Sequence, residues 1–265
     1  ESLVVAETAT VTLSDNPTIA ELNAIAAKTG GVVTATLAAD SLSNLGALTT
    51  AGTDVITITV NDNAEADVTA SDLSTLGGKT AGVVTVSNAV DISGTASELT
   101  AALVTDDTLV VAGTATANIT DDAATDIAAT VLSAIGAKTS GQVTVTNAIN
   151  VTGNADQAVA ALVTDDTKVS VTDAVITLSD DPDLTELGQL NSATTGTIKI
   201  STQNKAYSGS ATALATALTG TITDNDGNAF NGNITIEDNA GTSVAATLLS
   251  TIGTGTAGTA TVTNA

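Results

Sequence analysis

The stretch that decides the fold is Leu132-Ser-Ala-Ile-Gly-Ala-Lys-Thr-Ser-Gly-Gln-Val-Thr-Val-Thr-Asn-Ala148. It has a close copy in Leu73-Ser-Thr-Leu-Gly-Gly-Lys-Thr-Ala-Gly-Val-Val-Thr-Val-Ser-Asn-Ala89. Shorter copies begin at Leu22, Leu187 and Leu249. They define a unit of roughly 57 residues that occurs about five times, which is typical of repeat proteins. We therefore expect residues 1–265 to form one continuous solenoid of about five two-coil repeats, as a segment of a longer array.

Each unit carries the strand signal twice. Between Gln142 and Gly153, β-branched residues alternate with period two, stop at Asn147 and then resume, which predicts two short strands that meet at a corner. Asn and Asp tolerate left-handed backbone, and their side chains can bond the local backbone. The residues predicted at corners are Asn88, Asn147, Asp173 and Asn264.

The helices are marked by capping boxes, in which a short polar residue and a Glu or Gln three positions later satisfy two free N–H groups. The boxes are Thr18 with Glu21, Thr95 with Glu98, Asn154 with Gln157, and Asp183 with Glu186. A coil of strand, corner, strand, helix and turn then takes about 26–33 residues. Strands stack ~4.8 Å apart and helices need 8–10 Å, so the stack should curve or twist. The predicted fold class is an α/β repeat solenoid with parallel sheets and about nine or ten coils.

The composition argues against an enzyme, because the chain has no His, Cys, Met, Trp or Arg and its two aromatic residues are Tyr207 and Phe230. A histidine base, a thiolate and a guanidinium are therefore all missing. Six lysines stand against 29 acidic residues, which gives a net charge of −23. Binding to nucleic acid requires a positive surface, so nucleic acid is excluded as a partner. Apolar runs are too short for insertion into a membrane.

Acidic turns are the first candidate metal sites. Val104-Thr-Asp-Asp-Thr108 recurs as Val163-Thr-Asp-Asp-Thr167, where a helix ends and a strand begins. Two carboxylates oppose the helix dipole there, so either hydrogen bonds of the turn or a bound cation should compensate them. Calcium prefers oxygen-rich loops, which makes Ca²⁺ the candidate cofactor. The candidate ligands in these turns are Asp106, Asp107, Asp165 and Asp166.

A second candidate is Asp224-Asn-Asp-Gly-Asn228, which has the opening pattern of an EF-hand loop with Asp224 and Asp226 as ligands. The Glu expected at the twelfth position is replaced by Thr235, and Glu237 comes two places late. The competing interpretation is a type I′ hairpin at Asp226-Gly227.

Threonine alternates with apolar residues in Val33–Thr36, Ile56–Thr59 and Val143–Thr146. The outward hydroxyls could form Thr-x-Thr arrays such as those of ice-binding solenoids, or Thr could simply be a good strand former. Lys28, Lys79 and Lys138 are expected to meet the helix dipole at helix C-termini.

Three phrases resemble the repeats of giant acidic cell-surface proteins, of the hemolysin-like or adhesin type, in cyanobacteria and other Gram-negative bacteria. They are Glu-Leu-Asn-Ala-Ile-Ala-Ala-Lys-Thr-Gly from residue 21, Gly-Thr-Ala-Ser-Glu-Leu from residue 94, and Ala-Lys-Thr-Ser-Gly-Gln-Val-Thr-Val from residue 137. The resemblance implies an extracellular, non-catalytic structural or adhesive role in a surface layer, fibre or adhesin stalk. An ice- or glycan-binding solenoid is the alternative.

The expected partner is the protein itself or neighbouring repeats. Thr259–Ala265 matches Gln142–Ala148, the first strand and corner of an internal coil. This favours either continuation in a longer protein or head-to-tail assembly into a filament, with Val11–Ser14 of one copy adding to the last coil of the next.

Overall fold

A computed structural model describes residues 7–167 and 169–263. The α-helices are α1 (Ile19–Ala26), α2 (Leu42–Leu45), α3 (Ala70–Gly77), α4 (Ala96–Leu103), α5 (Ala129–Gly136), α6 (Ala155–Leu162), α7 (Leu184–Ala193), α8 (Ala211–Ala217) and α9 (Ala246–Thr254). One turn of 3₁₀ helix covers Asp106–Thr108.

The strands are short and alternate with these helices. In chain order they are β1 (Val11–Thr12), β2 (Val33–Thr36), β3 (Val55–Val60), β4 (Asp67–Thr69), β5 (Val84–Val86), β6 (Asp91–Gly94), β7 (Val110–Val111), β8 (Thr116–Ile119), β9 (Asp126–Ala128), β10 (Val143–Val145), β11 (Asn150–Gly153), β12 (Val169–Ser170), β13 (Val175–Leu178), β14 (Ile198–Ile200), β15 (Tyr207–Gly209), β16 (Ile222–Asp224), β17 (Ile234–Ile236) and β18 (Ala260–Val262).

All named strands pair in parallel within four sheets, which confirms an α/β repeat solenoid. The chain folds as two compact units. Unit 1 comprises residues 1–120 and 137–143, and it holds the sheet β1-β2-β3-β5-β7 and the strands β4-β6-β8. Unit 2 comprises residues 121–136 and 144–265, and it holds the sheets β9-β11-β13-β14-β16 and β15-β17-β18.

The coils lie at or below the short end of the 26–33 residues predicted. The paired residues Thr34 and Val55 are 21 positions apart, and Tyr207 and Ile234 are 27 apart, so the paired strands give coils of 21 to 27 residues. The shortest coils, from β1 to β3, have one strand and one helix each, without the second strand after a corner. A single-turn helix such as α2 needs little chain to return to the next strand.

The core of each unit is a ladder of β-branched side chains on the inward face of the strands. In unit 2 one inward row runs Ile127, Val151, Ile176, Ile198 and Ile222, all buried and in register. Identical positions stack ~4.8 Å apart in neighbouring coils, so each apolar side chain covers the next. Tyr207 and Phe230 are also buried in unit 2, with ring centroids 5.8 Å apart, and the Tyr207 hydroxyl donates to the Pro182 carbonyl. Burial raises the pKa of that hydroxyl.

The capping boxes are confirmed at all four predicted positions. At α1, the Thr18 side chain accepts from the Glu21 N–H at 3.2 Å and the Glu21 carboxylate accepts from the Thr18 N–H at 2.9 Å. The same reciprocal pair is present at α4, α6 and α7. The hydrogen bond from the Thr18 backbone holds the pKa of Glu21 below its ordinary value.

Candidate functional site

The strongest recurring polar feature is a bond between coils that we call the Thr-x-Gly clamp. Its threonine follows a helix, donates its hydroxyl to a backbone carbonyl of the preceding coil and accepts the N–H of the glycine two positions later. The clamps are formed by Thr29 with Gly31, Thr80 with Gly82, Thr139 with Gly141, Thr194 with Gly196, and Thr256 with Gly258. Each clamp lies within one unit.

The clamp at Thr80 is the most completely bonded. Its Oγ1 accepts from the N–H groups of Ile56 at 2.7 Å and Gly82 at 2.8 Å. It lies 2.8 Å from the Ile56 carbonyl and 3.0 Å from the Asp54 carbonyl, and its one hydrogen can satisfy either. Thr80 is 4% exposed, so these bonds are shielded from water.

The glycine of each clamp is required by close approach of two backbones. A Cβ built on Gly82 would lie 2.3 Å from the Ile56 oxygen, and one on Gly141 would lie 2.1 Å from the Ala115 oxygen. Real Cβ atoms essentially never come within 3.0 Å of another heavy atom. Only glycine therefore lets the strand lie against the coil before it.

Asp54 also joins neighbouring coils in unit 1, through hydrogen bonds that its carboxylate accepts. It is 4% exposed, and its carboxylate accepts from the Val33 N–H at 2.8 Å and from the Ala51 N–H at 2.9 Å. Val33 belongs to the strand of the preceding coil, so a buried charge holds β2 to the turn before β3. Bonds from N–H groups to a carboxylate are stronger than bonds between neutral groups.

Other carboxylates cap helices of the preceding coil. Asp62 accepts from the Leu42 N–H at 2.7 Å, Asp180 from the Ala155 N–H at 2.9 Å, and Asp238 from the Ala211 N–H at 2.8 Å. These donors are the first residues of α2, α6 and α8. The N-terminus of a helix has free N–H groups and a partial positive charge, so it is a natural partner for a carboxylate.

Two of the predicted corner residues, Asn88 and Asn147, bind the backbone of the preceding coil. The Asn88 side chain donates to the Asp62 carbonyl at 2.6 Å, and Asn147 donates to the Asp121 carbonyl at 2.7 Å. Asp173 lies at an exposed bend, whereas Asn264 falls outside the described residues. Lys79, expected at the C-terminus of its own helix, donates to the carbonyl of Gly46 at the C-terminus of α2 at 2.8 Å.

The acidic turns after α4 and α6 are closed by hydrogen bonds from threonine. Thr108 donates its hydroxyl to the Ala101 carbonyl in the last turn of α4, and Thr167 does the same to Ala160 in α6. The four candidate carboxylates, on Asp106, Asp107, Asp165 and Asp166, are exposed. These bonds satisfy carbonyls in the last helical turns, and the candidate carboxylates themselves remain exposed to solvent.

The Asp224 loop is a hairpin turn. The Asp224 carboxylate accepts from the N–H groups of Asp226 at 3.0 Å and Asn228 at 2.7 Å and from the Asn228 side chain at 2.8 Å. Gly227 has φ +86°, but Asp226 has no positive φ, so the predicted type I′ turn is wrong. The bonds from Gly227 N–H to the Asp224 carbonyl and from Asp224 N–H to the Asn228 carbonyl fit a three-residue loop with a left-handed glycine.

Within residues 7–167 and 169–263, no three His, Cys, Asp or Glu side chains come together as a metal-binding group. Calcium takes six to eight oxygen ligands, so an ion at Asp106, Asp165 or Asp224 would draw most of its ligands from carbonyls, hydroxyls and water. Calcium binding therefore stays a prediction.

The outward face of the sheet β1-β2-β3-β5-β7 is free of charged side chains. Its positions along the strands are Thr12, Thr34, Thr36, Val55, Thr57, Thr59, Thr85 and Val111. The register places Thr12, Thr34 and Val55 in one row and Thr59, Thr85 and Val111 in another. These two rows each contain two threonines and end in a valine, whereas Thr36 and Thr57 form a third row, which holds threonine alone within the named strands. Val55 and Val111 are 40% and 47% exposed.

A groove of about 430 Å³ lies between α2 and α3 in unit 1. Leu42, Val68 and Leu76 contribute apolar surface, and Asp62, Asp67, Asp72 and Lys79 also line it. The groove exists because α2 is a single turn and leaves part of α3 uncovered. The amine of Lys79 is bonded to Gly46, as described above.

The longest described helix, α7, has 10 residues, and no helix in the described parts of the chain is suited to span a bilayer. Comparisons with protein-family models, with curated proteins and with solved structures found no match to this chain.

Proposed function

We propose that this chain is a non-catalytic, extracellular repeat protein with a structural or adhesive role, such as a segment of a surface layer, fibre or adhesin stalk. The observation that supports this role is the Thr-x-Gly clamp. The threonines of the Thr-x-Gly clamps recur in all five repeats and bind the neighbouring coil, so this repeated chemistry serves stacking. An enzyme needs polar groups that converge on one cleft, and in the groove between α2 and α3 the charged groups of Asp62 and Lys79 are bonded to backbone.

The composition supports the non-catalytic part of the proposal. Acid–base and nucleophilic catalysis most often use His, Cys or a tuned Lys, and the chain has neither His nor Cys. Weak calcium binding at exposed turns such as Asp106 and Asp165 would be a supporting role, since millimolar calcium outside cells is enough to fill low-affinity sites.

Two experiments test the two parts of the proposal. A membrane-impermeant amine reagent applied to intact producing cells should label the lysines, for example Lys28 and Lys138, which are exposed. Labelling that required lysis of the cells would contradict the extracellular location. Pure protein incubated with polysaccharides should yield no new reducing ends or unsaturated products, and reproducible turnover would contradict the non-catalytic role.

A second candidate function is binding to ice or to a neutral glycan through the outward face of β1-β2-β3-β5-β7. The observation that favours it is the absence of charge on the outward strand positions of this face, in a protein of net charge −23. Thermal hysteresis of dilute protein solutions, compared with the variant Thr57→Lys, tests the ice version. Equal freezing behaviour of both proteins and of buffer would reject it.

A further inference from the structure

Four exposed valines lie on the outward face of the sheet β1-β2-β3-β5-β7 in unit 1. We call them the valine band and define it by Val32, Val55, Val83 and Val111, which are 37%, 40%, 58% and 47% exposed. Among residues 7–167 and 169–263, they are four of the six exposed large apolar side chains. Single surface valines need no explanation, whereas apolar residues gathered on one face are typical of a contact surface.

The register of the strands aligns the four valines obliquely. Thr34 lies two residues after Val32 and pairs with Val55 on the next strand. The same step, one strand across and two residues along, leads from Val55 to Val83 and from Val83 to Val111. With strands ~4.8 Å apart and ~3.3 Å per residue, each step covers about 8 Å. The valine band therefore runs for about 25 Å, inclined by about 35° to the strands.

The surface around the valine band is flat and uncharged. Threonine fills most of the remaining outward strand positions of this sheet. Threonine and valine are both β-branched and have nearly the same shape, so neither protrudes beyond the other. The outward positions of the sheet β9-β11-β13-β14-β16, in contrast, include Asp126 and Lys199. A flat surface of β-branched side chains fits a second surface of the same kind, as in two sheets that pack ~10 Å apart.

We propose that the outward face of β1-β2-β3-β5-β7 is a self-association site, on which the same face of a second copy packs with the two valine bands aligned. A two-fold axis in the plane of the contact lays one band along the other, so both copies use the same surface. Because each band is inclined by about 35°, the strands of the two copies cross at about 70°, nearer to the orthogonal than to the aligned class of sheet packing. The contact joins separate copies through their sheets, which goes beyond the stacking of coils within one chain.

Charge favours a second copy over a partner of opposite charge. The chain has a net charge of −23, so a basic partner is attracted to its acidic surfaces, and the neutral face offers such a partner no carboxylate. A second copy instead brings another neutral face of the same lattice spacing. Two copies repel one another wherever their acidic surfaces meet, and contact through the neutral faces avoids that repulsion.

The area of the face sets the strength of the contact. The sheet measures about 24 Å across its five strands and about 20 Å along β3, its longest strand, which has six residues. Two copies therefore bury about 1,000 Å² in total. This area is at the low end for specific contacts, so we expect a weak dimer that forms at high protein concentration.

Sedimentation velocity on the full chain, from about 1 µM to about 1 mM, measures the association. The unmodified protein should change from monomer to dimer over this range. The dimer should be stronger in about 0.5 M than in about 0.02 M NaCl, because salt screens the repulsion between two acidic copies.

Val55→Lys should weaken the dimer at least tenfold, because the contact would then bury an ammonium group without a partner. Val175→Lys is the matched control and should dimerise like the unmodified protein. Val175, like Val55, is an outward valine at the first position of its strand, but it lies in the sheet β9-β11-β13-β14-β16. If Val55→Lys disturbs folding by circular dichroism, Val83→Lys at the most exposed valine replaces it.

Single cysteines locate the contact, because the chain has no cysteine of its own. A flexible bismaleimide that spans about 15 Å should join two copies of Val83→Cys, since packed sheets lie ~10 Å apart, and it should not join two copies of Val175→Cys.

Four results would each overturn the proposal: a protein that stays monomeric up to about 1 mM, a dimer weakened by salt, equal loss in Val55→Lys and Val175→Lys, or equal cross-linking of the two cysteine variants. A monomer that binds ice or a polysaccharide through this face would also overturn it and would assign the face to that ligand. Cell-surface location and turnover are measured separately, so failure of the docking site and failure of the structural role are distinguishable.

Discussion

Replacing Gly82 by alanine should destabilise the protein through the clamp between two coils. The new Cβ would lie 2.3 Å from the oxygen, 2.6 Å from the carbon and 2.8 Å from the nitrogen of Ile56. All three atoms belong to the backbone, so no side chain can rotate away. The strand must retreat by about 0.7 Å to reach even the 3.0 Å limit of real contacts.

The expected cost has two parts. Overpacking of this kind costs roughly 1–3 kcal/mol. The retreat also stretches the bonds that Thr80 makes to Ile56 and Gly82, each worth about 0.5–1.5 kcal/mol. We expect a loss of about 2–4 kcal/mol in the free energy of unfolding.

Gly113→Ala is the matched control. A Cβ on Gly113 meets nothing within 4 Å, and its φ does not lie in the left-handed region. The same substitution there should stabilise the protein by about 0.4–1 kcal/mol, because it restricts the unfolded chain. The two variants carry identical chemistry and should move in opposite directions.

Urea denaturation followed by circular dichroism measures both variants. Hydrogen exchange at the Ile58 N–H, which bonds the Val83 carbonyl, adds a local reading in case the repeats do not unfold together. Thr80→Val removes the hydroxyl without adding volume, so Gly82→Ala and Thr80→Val should be less than additive if both act on one clamp. A Gly82→Ala variant within about 0.5 kcal/mol of the parent would refute the reasoning.

Three further expectations concern strain, calcium and acid. Ala124 has φ +63°, and left-handed backbone costs an alanine more than the added freedom of glycine costs on folding. Ala124→Gly should therefore stabilise the protein by about 0.5–1 kcal/mol. A variant that is less stable than the parent in urea would contradict this. Millimolar Ca²⁺ should raise the melting temperature, and chelator or Asp106→Asn with Asp165→Asn should remove the rise; identical melts with calcium and with chelator would count against calcium binding. Donation from the Asn228 side chain and nearby N–H groups lowers the pKa of Asp224. The pKa of Asp224 is lower in the folded protein than in the unfolded chain. Its hydrogen bonds therefore stabilise the fold fully above the unfolded pKa, and this stabilisation is lost as the pH falls through the folded pKa. Hydrogen-exchange protection of the Asp226 N–H should fall in acid in the unmodified protein, but it should not fall in the Asp224→Asn variant. Equal pH profiles of the two proteins would reject this.

Features within one helix turn could be predicted from the sequence. Thr18 and Glu21 are three residues apart, so the capping box depends on local geometry alone and can be identified without knowing the fold. The two strands on either side of Asn147, β10 and β11, were predicted for the same reason, because period-two alternation is a local signal.

Contacts between coils could not be predicted, because they depend on the register of strands that are 21 to 27 residues apart. Asp54 bonds Val33 across 21 positions, and Thr80 bonds Ile56 across 24. In the sequence, Thr-x-Gly follows Lys28, Lys79 and Lys138, but that recurrence does not say which carbonyl the hydroxyl meets. Several coils are shorter than predicted for the same reason, since the length of a coil is set by the register of its strands.

Part of the acidic composition serves the bonds between coils. Asp62, Asp180 and Asp238 each place a carboxylate on the first N–H of a helix in the preceding coil. The helix end supplies partial positive charge, so these acids are compensated without lysine. Each coil that adds such an aspartate also stabilises the helix before it. Each further coil with such an aspartate therefore adds a negative charge that is paired with backbone N–H groups and not with a lysine.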